Sequence, residues 1–292
     1  MNYANQAMYL PTTTTLWLRL QRAARALLAV AAFAAVSTSA QAQLRIDITG
    51  VGTNQIAFSA APFQGNQGLP EDVKKVIEDD LVRSGFFRSI NTTSNVELNE
   101  STLIDPSAWK SIGVDALIVG SVKKLPDGRL DLRFNLHDTA QQKSLGKFSY
   151  VIAPSALRLH AHKIADFVYE EFTGDSGYFD TQVVYVAESG TQSRRLKRLA
   201  IMDQDGHNHR YLTSGLDLVL TPRFSPTANE IAYLNYFNDE PNVYLFEVAT
   251  GRTERLGSFP GMTFAPRFGP DGDKLIMSLA QDGLTDIYEM DM

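Results

Sequence analysis

Residues able to do chemistry are few in this chain, and each has a plainer reading beside it. Ser107-Ala108-Trp109-Lys110 matches Ser-x-x-Lys, the pattern of a serine nucleophile activated by a lysine. Its partner motifs, Ser-Asp-Asn and Lys-Thr-Gly, are absent from the sequence, and Ser107 follows Pro106, so the segment reads as the start of a helix. His160 and His162 stand two apart on an expected helix, where i and i+2 side chains diverge and cannot share a metal. His207 and His209 suit one face of a strand, but no third ligand is spaced to complete a site. Asp203-Gln204-Asp205-Gly206 has the flavour of a calcium loop without its downstream Glu, and reads as a β-turn. There is no G-x-S-x-G nucleophile elbow and no glycine-rich phosphate loop. No catalytic residue, cofactor or metal site is assigned.

The elements that carry these residues fall into two patterns. In the C-terminal third a unit recurs at a spacing of 44 residues: TPRFSPTANEIAYLNYF from Thr221 and APRFGPDGDKLIMSLAQ from Ala265. Pro222 aligns with Pro266, Arg223 with Arg267, Phe224 with Phe268 and Pro226 with Pro270. A turn and two alternating apolar strands follow in each copy, and a weaker copy begins at QVVYVAES. Short strands at a period of about 40–50 residues are the mark of propeller blades. About two and a half blades are expected over 178–292, fewer than close a ring, so the chain reads as C-terminally truncated. Apolar residues such as Tyr185, Leu275 and Ile276 are then expected to face solvent where a neighbouring blade would sit.

Residues 55–174 read as an α+β domain. IAFSAAPF is a buried strand; Pro70 starts a helix with Glu71 and Asp72 in its first turn and Gly85 at its end. A second helix covers Pro106 to Ser111, and three consecutive antiparallel strands follow. A last helix from about Ser155 to Phe172 ends at Gly174, and Asp175-Ser176-Gly177 links it to the first blade.

Ahead of this, Arg19, Arg22 and Arg25 precede an 11-residue apolar run and the small-residue sequence Ala40-Gln41-Ala42. That describes a secretory signal peptide over 1–42, cut between Ala42 and Gln43, with an apolar run too short to span a bilayer. Removing it takes three Arg and no acid, leaving 24 basic against 33 acidic residues, net −9. A balance so acidic argues against nucleic-acid binding. The absence of Cys excludes a disulfide scaffold and a thiol catalyst, and an exported, cysteine-free chain is compatible with a Gram-negative periplasm. Residues 43–54 form an N-terminal arm in which Leu44, Ile46 and Ile48 alternate with Arg45 and Asp47, ahead of the turn-rich Gly50 and Val51. Such a two-faced strand suits addition to the edge of a partner sheet, or packing on its own domain.

Taken in order, these landmarks resemble the TolB family of Tol-Pal system proteins. The segments that carry the resemblance are APFQGNQGLPEDVKKVIEDDLVRSGFF, WKSIGVDALIVGSVKKLPDGRLDLRFNLHDT, LRLHAHKIADFVYEEFTGDSGYFDTQVVYVAES, and RFSP with RFGPDGDKL. Gln182, Thr227-Ala228, Gly269 and Met262 depart from the family pattern, which touches local turns and one loop. The resemblance implies an α+β domain followed by a propeller of six blades in the family, here incomplete. It implies a non-enzymatic periplasmic scaffold that supports outer-membrane integrity and constriction at division, with no cofactor. Its implied partners are the lipoprotein Pal, the C-terminal domain of TolA and other outer-membrane proteins. TolA is expected on the arm (Leu44, Arg45, Ile46, Asp47, Ile48, Gly50, Val51), and Pal on the propeller face around Pro222, Arg223, Met262, Thr263, Pro266 and Arg267. The competing readings are an exported hydrolase whose catalytic domain follows its propeller, and a ligand-binding propeller lectin.

Overall fold

A computed structural model describes residues 55–92, 97–191, 194–238, 240–257 and 262–292. The first module is a five-stranded sheet of order β2-β1-β3-β4-β5, built from β1 (Ile56–Ala60), β2 (Phe87–Ser89), β3 (Ala116–Lys124), β4 (Leu130–Asp138) and β5 (Lys143–Ile152). β3, β4 and β5 are antiparallel neighbours, as their hairpin turns dictate. β1 pairs in parallel with both β2 and β3, so the sheet is mixed where a purely antiparallel one was expected. The helical crossover between β1 and β2 imposes this, because parallel neighbours need a long connection.

That crossover is α1 (Val73–Arg83). It begins three residues after Pro70, because Asp72 is its cap: the Asp72 carboxylate accepts the N–H of Lys75 at 3.3 Å. Glu71 therefore lies outside the helix. The short α2 (Pro106–Ser111) has the expected bounds and is capped by Asp105. α3 (Leu157–Thr173) follows a single 3-10 turn and ends at Gly174, whose φ of +79° closes the helix in the left-handed region.

α1 and α3 cover one face of the sheet. Their apolar stripes (Val73, Val76, Ile77 and Leu81; Leu157, Ala161, Ile164, Ala165 and Val168) share one core with Phe58, Ile118, Leu132 and Phe134. α2 lies on the other face, where Trp109 packs against a smaller core of Leu98, Val114, Leu117 and Val119. Phe179, beyond the end of α3, is fully buried in the larger core, so the connection between modules is anchored by an aromatic side chain.

The second module consists of three blade-like sheets, each led by its first strand in sequence. They are β6 (Gln182–Thr191), β7 (Arg194–Asp203) and β8 (Arg210–Tyr211); β9 (Leu218–Phe224), β10 (Glu230–Phe237), β11 (Glu240–Glu247) and β12 (Thr253–Arg255); and β13 (Met262–Phe268), β14 (Lys274–Gln281) and β15 (Leu284–Asp291). β9 lies beside both β6 and β13, which brings the leading strands together along one side. Apolar residues from facing sheets make the cores between blades: Leu199 and Ile201 meet Val219, Ile231 and Tyr233, and Ala232 and Val243 meet Leu275 and Met277. The described sheets form no closed ring. Leu275 is buried, contrary to expectation, because alternate residues of β14 point back at the preceding blade. Tyr185 is half-buried, and Ile276 is exposed, as is Ile287 on the neighbouring strand β15.

Candidate functional site

The densest polar cluster lies where the α+β module meets the first blade. The turn joining β7 to β8 is a β-turn, closed by the N–H of Gly206 on the carbonyl of Asp203 at 2.9 Å. It projects Gln204 and Asp205 toward α1 and α3. Arg158, in the first turn of α3, is the hub. Its Nη1 donates to Glu71 Oε2 at 2.8 Å, and its Nη2 donates to Asp205 and, at 2.8 Å, to His207 Nδ1. One turn further along, His162 is buried with Nδ1 2.5 Å from Asp80 Oδ2 on α1. Its Nε2 lies 3.5 Å from Asp205 Oδ2 and has no hydrogen-bond partner. Gln204 Nε2 donates to Asp80 Oδ1 at 2.9 Å, and Arg83 Nη1 donates to Gln204 Oε1 at 2.8 Å.

Burial and charge compete here. Burial alone would raise the Asp205 carboxyl pKa; the N–H of His207 and the Arg158 guanidinium overcome it and hold the group down at about 2. Burial alone would lower the His162 pKa, yet the bond to Asp80 and the charges of Asp80 and Asp205 raise it above its ordinary value. The cluster is thus built from ionised groups that compensate one another.

Asp80, His162 and Asp205 each offer a ligand atom within 4.8 Å of the others, a spacing that suits a divalent cation. The Arg158 guanidinium already satisfies Asp205, Glu71 and His207, so the resident cation of this cluster is an arginine. The arrangement links α1 and α3 of the first module to the β7–β8 turn of the first blade.

Of the residues singled out in the sequence, His162, Asp205 and His207 meet in this cluster, and the others are dispersed. Ser107 and Lys110 are both exposed on α2; the Ser107 N–H is bonded to the Asp105 cap, and the Lys110 ammonium pairs with Asp115. They form no nucleophile pair. His160 bonds to the carbonyl of Ala156 at 2.9 Å, away from His162, as the i and i+2 spacing requires. His207 and His209 lie in the turn region before β8, not on a strand, and His209 packs edge-on against Tyr211. Pro222 and Arg223 lie just before the last residue of β9, and Pro266 and Arg267 occupy the same place in β13. Each pair follows a residue with positive φ, Thr221 at +48° and Ala265 at +54°, beside an irregularity in strand pairing. Arg223 Nη1 donates to the Pro222 carbonyl at 2.6 Å, and Arg267 Nη1 to that of Pro266 at 2.9 Å. Burial, then the nearby charge of Arg267, lower the Arg223 pKa. Met262 and Thr263 open β13. The cleavage point at Ala42 and Gln43, and the arm residues Leu44, Arg45, Ile46, Asp47, Ile48, Gly50 and Val51, lie outside the described residues.

Sequence reasoning missed Asp80, Arg158, His162 and Asp205 as a group. The available signal was a histidine on the buried side of α3, where an apolar residue belongs by period.

With this geometry in hand, comparison with known proteins decides the family. The TolB amino-terminal domain matches residues 44–145, and the TolB beta propeller domain matches residues 169–292. The chain belongs to the TolB family. It is 45% identical over 250 residues to the Tol-Pal system protein TolB of Paramagnetospirillum magneticum, covering 82% of this chain and 56% of that relative. The crystal structure of TolB from Acinetobacter baumannii superposes with a TM-score of 0.71 at 30% identity, covering 81% of this chain and 58% of that one. The chain therefore spans somewhat more than half the length of these TolB relatives. Arg158, His162 and Asp166 lie between the two matched TolB regions, and Asp205 lies within the propeller match.

Proposed function

We propose that the chain acts as a non-catalytic scaffold of the Tol-Pal system in the periplasm, reached through a signal peptide over residues 1–42. In this reading the arm at 43–54 binds the C-terminal domain of TolA, and the propeller face binds the lipoprotein Pal. The joint attachment supports outer-membrane integrity and constriction at division. Membership of the TolB family is the observation that carries the reading.

The chemistry of the repeats adds to it. Arg223 and Arg267 occupy equivalent places on leading strands of adjacent blades, and among the described residues neither guanidinium pairs with a carboxylate. Two exposed, uncompensated arginines suit a partner that brings acidic side chains.

The test is capture. The chain, immobilised, is exposed separately to the soluble domain of Pal and to the C-terminal domain of TolA. Saturable binding of both is expected, and binding of neither overturns the assignment. Mass spectrometry of the exported protein should find Gln43 at its N-terminus; a retained Met1 or Met8 would contradict export by this route.

A further inference from the structure

The junction contains one group whose proton count decides whether the modules attract each other. His162 is 2% exposed and sits between two carboxylates that are equally inaccessible, Asp80 of α1 and Asp205 of the first blade. A neutral imidazole has a single N–H. If that N–H serves Asp80 through Nδ1, the Nε2 lone pair faces the Asp205 carboxylate at 3.5 Å and repels it. In the other tautomer the Nδ1 lone pair faces Asp80 at 2.5 Å, which is worse. Only the imidazolium donates toward both.

The surroundings favour the extra proton. The charges that act on the ring come from Asp80 on α1, Asp205 in the β7–β8 turn and Arg158 on α3. Around these, Glu71 and His207 bond to Arg158, Gln204 bonds to Asp80, and Arg83, Asp166 and Tyr178 interact with Asp80. Two carboxylates stand against one guanidinium group among those that act on the ring, so a charged His162 reduces a negative excess. The Nη1 and Nη2 groups of Arg158 are engaged by Glu71, Asp205 and His207, and Arg158 makes no bond to Asp80.

We propose that His162 is a proton-operated latch between the α+β module and the first blade: charged, it bridges Asp80 to Asp205, and on losing its proton it weakens the blade-side contact. The consequence is a docking equilibrium that loosens as pH rises. A histidine whose pKa is raised by docking contributes stability below its undocked pKa, and that contribution is lost as pH climbs through the docked value, above the ordinary 6.5. The inference does not depend on which partners the protein binds.

The chain has no native Cys, so two introduced cysteines can be labelled cleanly. Lys75→Cys on α1 and Arg195→Cys on β7 are exposed positions in the two modules. Single-molecule energy transfer between dyes at these sites, from about pH 5.5 to about pH 9, should show one docked distance at the acid end. The docked-to-undocked ratio should fall by about fivefold or more at the alkaline end. His162→Gln should abolish the pH dependence. Asp205→Asn, which removes the blade-side charge and keeps the side chain's shape, should also abolish it while the imidazole 15N shifts still report titration of His162. A pH-invariant distance in the parent chain overturns the proposal, as does the same titration persisting in Asp205→Asn.

Discussion

The carboxylate of Asp166 accepts the backbone N–H of Phe179 at 2.6 Å and that of Asp180 at 3.1 Å, tying the connection between modules to the middle of α3. This clamp orders the chain where it leaves the α+β core, and it seats Phe179 against Tyr169 and Tyr178. Burial pushes the Asp166 carboxyl pKa up, and the two N–H donors pull against that. Asp166→Ala leaves both donors unpaired in a half-buried site. We expect a loss of about 1–3 kcal/mol in urea unfolding, from the desolvated N–H groups. An unchanged midpoint would show that the connection is held by Phe179 alone.

Gly177 passes close against the same aspartate. A methyl group at Gly177 would lie 2.4 Å from Asp166 Oδ1 and 2.5 Å from its Cα. Backbone cannot yield cheaply, so Gly177→Ala should destabilise by about 1–3 kcal/mol through overpacking. Ser176→Ala, one residue away, is the control and should be near neutral by thermal melting.

Arg158 is the cation of the junction. Arg158→Met keeps much of the stem but leaves Asp205 buried without its main partner. Breaking a buried pair from one side costs about 3–5 kcal/mol. We expect limited proteolysis to cut near Asp175 to Tyr178 much faster in this variant. Equal cleavage rates would mean that the ion pair contributes little to docking.

The acid limb of stability should carry the signature of Asp205. Its folded-state pKa of about 2 lies below the ordinary 3.8, so its contribution is present above the unfolded value and lost as pH falls from there toward 2. A shift of that size corresponds to about 2 kcal/mol at neutral pH. Asp205→Asn should flatten the stability profile in this window, measured as the denaturation midpoint against pH. A profile that keeps its full slope would place the titrating carboxylate elsewhere.

How far the sequence reaches can be judged from these same residues. The 44-residue repeat was legible because Pro222, Arg223 and Phe224 recur as Pro266, Arg267 and Phe268, and the structure places both sets on leading strands of adjacent blades. The bounds of α2 and the stop at Gly174 were legible because proline, an Asp cap and a left-handed glycine act locally. The parallel placement of β1 between β2 and β3 was not, since strand partners far apart in sequence leave no local pattern. The junction was least legible of all. Asp80 and His162 are 82 residues apart, and Arg158 and Asp205 are 47 apart, so nothing local in the sequence joins them.

The proposal is that the N-terminal arm and the propeller face serve two partners separately. It is tested most directly by equilibrium binding of TolA and Pal domains to three proteins: the parent chain, one lacking residues 43–54, and the double charge reversal Arg223→Glu with Arg267→Glu. The deletion is expected to abolish TolA binding and spare Pal, while the charge reversal weakens Pal by about tenfold or more and spares TolA. Undiminished TolA binding after the deletion, or undiminished Pal binding after the charge reversal, would contradict it.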